Sequence, residues 1–115
     1  MPSLPTYKVI GPTQGFVSVI ATTSMVVKVT GAAQFNHAAF LNVGPAPICI
    51  SISQLTVNLP RAVFPTTGGV PVNGFVIPPA MTLPMVIAVP ANGFSLSAIS
   101  NSTVPSQLYV CPMGE

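Results

Sequence analysis

The sequence predicts an all-β chain folded as a single antiparallel β-sandwich or jelly-roll-like domain, and three observations carry that prediction. Short runs of β-branched and aromatic residues are closed off by Gly, Pro or Asn along the whole length. Two of the runs alternate strictly, with Ile48, Ile50 and Ile52 against Cys49, Ser51 and Ser53, and Phe94, Leu96 and Ala98 against Ser95 and Ser97. That is the period of a sheet packed on one side. No window sustains a helical period, and Ala32–Phe40, "AAQFNHAAF", is the one place where a helical turn is tolerable. At 115 residues the chain suffices for one core without metal or disulfide staples.

The elements follow in order. "YKVI" from Tyr7, "FVSVI" from Phe16 and "MVVKVT" from Met25 are Val- and Ile-rich runs separated by Gly11-Pro12 and by polar residues, and Gly31 ends the third. "AAFLNV" from Ala38 and "ICISIS" from Ile48 flank Gly44-Pro45, and "LTVNL" from Leu55 stops at Pro60. "GFVI" from Gly74 lies between Asn73-Gly74 and Pro78-Pro79, "MVIAV" from Met85 ends at Pro90, "FSLSAI" starts after Asn92-Gly93, and "QLYVC" follows Pro105. "MVIAV" lacks alternation, which suits a strand covered on both faces, by the core within and a neighbour without. Burying each Ile, Leu or Phe of such a sandwich contributes roughly 1.5–3 kcal/mol. The division expected is a proline-rich arm over residues 1–15 and a sandwich domain over 16–115.

Charge is the anomaly. Only 3% of the chain is charged while 50% is hydrophobic; the charged side chains are Lys8, Lys28, Arg61 and Glu115, Asp is absent, and His37 is the sole histidine. A soluble domain ordinarily carries charge on about a quarter or more of its surface. So little net charge cannot oppose association, and the outer face reads as one buried in an assembly. A membrane span over Val70–Pro90 is excluded by Pro71, Pro78, Pro79, Pro84 and Pro90, each of which removes a backbone donor that hydrocarbon cannot replace. A secretory leader is not expected either, since the first residues hold two prolines and no basic cluster.

The same shortage removes most chemistry. Glycosidase-type catalysis needs paired carboxylates, and the chain has one carboxylate side chain. A Ser-His-Asp triad lacks its Asp, and pairing His37 with Cys49 or Cys111 has no feature that lowers a thiol pKa. Structural zinc wants four ligands, whereas His37, Cys49 and Cys111 are the only candidates; calcium and magnesium want carboxylates. No catalytic, metal or cofactor residue is assigned, and no cofactor is expected. Thr66–Gly74, "TTGGVPVNG", lacks the lysine and helix of a phosphate cradle, and three basic side chains cannot neutralise a nucleic-acid backbone. Both cysteines sit in strand patterns and read as reduced, small hydrophobes.

Two stretches resemble a known class. Phe40–Ser53, "FLNVGPAPICISIS", resembles small virion proteins of tailed bacteriophages in its Asn-x-Gly turn followed by an alternating apolar strand. Val76–Glu115 is similar to the same class in its proline-bearing turn, apolar strand, Ala-Ile-Ser strand and Gly-Glu ending. The resemblance implies a non-enzymatic β-sandwich subunit of the particle: a capsid decoration (cement) protein, or alternatively a tail, head-fibre or receptor- or carbohydrate-binding tip component. The implied partners are the major capsid protein and copies of the chain itself as a homotrimer, with no nucleic acid or membrane, on the phage head after assembly in the bacterial cytoplasm. Interface residues expected on this view are Leu4, Pro5 and Tyr7, on an arm lying extended against a neighbour, with Phe35 and Phe64. A binding tip would instead expose rings on loops, for which Phe35, Phe64 and Tyr109 are the candidates.

Overall fold

A computed structural model describes residues 8–19, 25–30, 35–54, 62–66, 68–69, 71–72, 74–91 and 93–114. Among them are nine strands and no helix: β1 (Lys8–Val9), β2 (Gln14–Val19), β3 (Met25–Val29), β4 (His37–Asn42), β5 (Ile48–Gln54), β6 (Phe75–Ile77), β7 (Met85–Ala88), β8 (Phe94–Ser100) and β9 (Ser106–Gly114). The expected strand from Leu55 lies outside the described residues. Of the stretch allowed a helical turn, residues 32–34 also lie outside the described residues, and the rest, from Phe35, leads directly into β4.

The pairing is entirely antiparallel and nested. β2 pairs with β9, β3 with β8, β4 with β7, and β5 with β6, as in one long hairpin folded double. Rolling that hairpin adds two contacts, β4 with β9 and β5 with β8. Two sheets result: sheet A runs β1-β9-β4-β7, with β2 sharing β1's side of β9, and sheet B runs β3-β8-β5-β6. This winding is a jelly roll. Phe40, Leu108 and Val110 from sheet A meet Val29, Ile48, Ile50, Phe94 and Leu96 from sheet B in one core.

β8 is a central strand of sheet B, and its alternation holds with a correction. Phe94, Leu96 and Ala98 face the core as the sequence predicts, but Ser95 and Ser97 are also buried. Ala62, itself buried, lies over that side, and its amide donates to Ser97 Oγ at 2.8 Å. The hydroxyl face is therefore covered within the chain. β7 is an edge strand whose Met85, Val86 and Ile87 are half-buried, so its missing alternation does not reflect cover from this chain on both faces.

The expected boundary after residue 15 falls inside β2. Lys8–Val9 pairs with Met113–Gly114, and Gln14–Gly15 pairs with Tyr109–Val110, so the described part of the arm is sheet edge. β9 also runs further than Cys111, through Pro112 to Gly114. A proline in a strand lacks a ladder donor. Here the Pro112 carbonyl accepts from the amides of Ile10 and Gly11, at 2.9 and 3.1 Å. Since a strand residue's N and O point to the same side, the missing donor faces the step between β1 and β2 and not the ladder to β4.

The crossover from β4 to β5, Val43–Pro47, is pinned by buried side chains. Asn42 Oδ1 accepts from the Gly44 amide at 3.0 Å while its Nδ2 donates to the Ala46 carbonyl at 2.9 Å. Ser106 Oγ donates to the same carbonyl at 3.0 Å and accepts from the Ala46 amide at 3.1 Å. Gly44 packs so closely on β9 that a Cβ there would clash with the Ser106 backbone. Leaving a buried amide or carbonyl unpaired costs about 1–3 kcal/mol. Ser106→Ala and Asn42→Ala are each expected to destabilise the fold by about that amount, and Gly44→Ala by more, whereas Ser102→Ala at the exposed turn stays within about 0.5 kcal/mol. Urea midpoints of the four variants check this ranking.

Candidate functional site

Alternation along β9 and β4 divides their side chains between core and exterior. Leu108 and Val110 of β9 and Ala38 and Phe40 of β4 point inward and are fully buried. Tyr109, Cys111 and Met113, with Ala39 and Leu41, share the opposite face, where Leu41 stands across from Tyr109 and Ala39 across from Cys111. Val9 extends the row from β1, opposite Met113. These side chains form an open groove of about 260 Å³ on the outer face of sheet A, bounded also by Pro84 and Thr13. No charged side chain lines it.

Tyr109 forms one wall because its strand partner is a glycine. A Cβ at Gly15 would come within 2.9 Å of Tyr109 Cε1, so the ring lies over the space Gly15 leaves open. Val9 is 70% exposed and Tyr109 38%, and Leu83, next to Pro84, is 76% exposed. Such apolar surface gains by leaving water, at roughly 25 cal/mol per Å². A second recess, about 270 Å³, opens where β5 runs past β6 beside Phe75 and Gly74.

The predicted interface residues fare differently. Phe35 is a correction: it is 2% exposed and packs edge-on to Phe94 at 6.2 Å between centroids, so it is a core ring and presents no surface to a partner. Its loop position hid this, because a ring just before a strand can fold back into the core. Phe64 is half-buried. Leu4, Pro5 and Tyr7 lie outside the described residues. Tyr109 is exposed, but on a central strand and not on a loop. The rest of the groove escaped sequence reasoning for a physical reason: from Leu108 to Met113 both faces of β9 are apolar, so period two leaves no contrast to read.

The chemistry-bearing side chains are spread over both sheets. Cys49 is in β5 and Cys111 in β9, strands of opposite sheets, and both are free thiols. Burial raises the Cys49 thiol above its usual pKa, opposed in part by a hydrogen bond from the Phe75 backbone. His37 is paired with Met113, which puts it diagonally across from Cys111. Its Nδ1 lies 2.8 Å from Asn36 Oδ1, while the Cys111 thiol lies 3.6 Å from the Pro112 carbonyl. No group of three His, Cys, Asp or Glu among the described residues could hold a metal ion. No helix among them is long and apolar enough to cross a membrane. The groove is thus equipped for contact by shape and desolvation.

No protein-family model, curated protein or solved structure matches this chain.

The two thiols offer a check on the placement of the faces. At pH 8, iodoacetamide is expected to modify Cys111 well ahead of Cys49, because the raised pKa and full burial of Cys49 leave little accessible thiolate. Equal labelling rates, read by peptide mass spectrometry, would contradict the assignment of Cys49 to a covered face.

Proposed function

We propose that this chain is a structural subunit of a bacteriophage particle, a capsid decoration protein that binds across the seams between major capsid subunits and acts without catalysis. The observation that carries the reading is the uncharged apolar groove over β1, β4 and β9, together with the scarcity of charge in the sequence as a whole. The resemblance of Phe40–Ser53 and Val76–Glu115 to small virion proteins supports it.

Jelly rolls build viral capsid and lectin domains alike, so the fold admits a particle subunit and a carbohydrate-binding tip. The surface favours the former. Of the three rings that a tip would display on loops, Phe35 is in the core, Phe64 is half-buried and Tyr109 belongs to a strand. A decoration protein works by placing neutral, dry contacts over adjoining subunits, and multivalent seating turns weak contacts into firm attachment. Hydroxyl and apolar groups desolvate at far lower cost than charges, and their contacts are insensitive to salt.

Peptide mass spectrometry and immunogold labelling of gradient-purified particles, from the phage whose genome carries this sequence, test the proposal. The chain is expected on heads, in a fixed ratio to the major capsid protein, and still bound in 1 M salt. Its presence only in the particle-free fraction would overturn the proposal, and labelling confined to the tail tip with binding on a glycan array would replace it with the tip reading.

A further inference from the structure

We propose that the groove on the outer face of sheet A is the seat of the N-terminal arm, Met1–Tyr7, of a second copy of this chain. The inference rests on the reading of the protein as a subunit among copies of itself, and it assigns the surface and the segment through which those copies engage.

The direction of β1 argues against the simpler arrangement in which the arm fills its own groove. Lys8 is opposite Gly114 and Val9 opposite Met113, so β1, traced back from Val9 to Lys8, heads toward the C-terminal end of β9. The groove extends the other way, from Met113 back to Tyr109. Val9 already forms part of its wall, and an arm returning to it would have to double back over Val9 at once. Pro2 and Pro5 oppose such a reversal, since each fixes its own φ and holds the preceding residue, Met1 or Leu4, extended. Seven residues, if extended, span about 22 Å.

Groove and arm also match chemically. Met1, Leu4 and Tyr7 supply apolar side chains, Ser3 and Thr6 supply hydroxyls, and no side chain in the segment is charged. The groove offers Leu41, Tyr109, Cys111 and Met113 and likewise carries no charged side chain. Lys8, exposed at the base of the arm, remains in water. Neither partner brings a charged side chain into the contact, and the proline-restricted arm loses less entropy on docking than a flexible segment would.

The groove carries its own reporter, since Cys111 is in its floor. In the full-length protein, Leu4→Cys places a thiol in the arm, with Ser3→Cys as a second position; neither change touches a described strand. Each variant, carrying also Cys111→Ser and labelled with ¹⁵N, is mixed with unlabelled wild type and oxidised mildly with copper-phenanthroline. The expected product is a heavy-light disulfide between the arm thiol and Cys111, absent when both chains carry Cys111→Ser. The single variants that retain Cys111 test the opposite arrangement: an intramolecular link, seen as a monomer lighter by a pair of hydrogens, overturns the proposal by seating the arm in its own groove. No link at either position while sedimentation still reports an oligomer also overturns it, but leaves assembly among copies standing. No link from a chain that stays monomeric removes both readings.

Discussion

The chain passes from sheet A to sheet B through Val43–Pro47, and Ala46 makes the passage inside the protein, where its amide and carbonyl cannot reach water. Asn42 and Ser106 take the place of solvent. One side chain comes from the end of the strand being left, the other from the start of β9, sixty positions further along. The close approach of Gly44 to Ser106 brings those groups within reach. Without this cluster the two sheets would be joined through a loop carrying unpaired buried polar groups, the arrangement that folded chains avoid. Because β9 pairs with β1, β2 and β4, fixing its first residue also fixes the register of most of sheet A.

Scarcity of charge shapes the rest. Several buried polar groups are satisfied by neutral partners within the chain, as Ser97 is by the amide of Ala62 and Ser106 by the backbone of Ala46. The charged side chains among the described residues, Lys8 and Lys28, lie on β1 and β3 and are exposed. Lysine on an edge discourages strand-to-strand aggregation. The opposite edges, β6 and β7, carry none and are flanked instead by Pro78 and by Pro84 and Pro90, which serve the same end by withholding donors. Open-ended pairing is thus discouraged at the edges, while the outer face of sheet A keeps its apolar groove. A surface arranged in this way favours face contacts of defined geometry.

Most strands were legible because their signals are local. Alternation in Ile48–Ser53 and Phe94–Ile99 named the inward residues, and Gly and Pro marked the boundaries. Three features were not legible. The continuation of β9 through Pro112 depends on which neighbour the missing donor faces, and that is a matter of sheet order. The burial of Ser95 and Ser97 depends on a segment more than thirty positions away in sequence. The placement of two rings depends on distant partners: Phe35 entered the core against Phe94, and Tyr109 is displayed from a strand, over Gly15. Pairing with a glycine more than ninety residues upstream is what exposes Tyr109, and no window around "QLYVC" contains it.

On the function proposed above, the neutral outer surface is covered by copies of the chain and by the shell beneath them. Sedimentation equilibrium of the full-length protein over a wide concentration range, at low and at 1 M salt, tests it most directly. A discrete oligomer, a trimer on the reading developed above, whose dissociation constant is unchanged between the two salts is the result this account requires. A monomer at every concentration, or an oligomer that dissolves as salt rises, would contradict it.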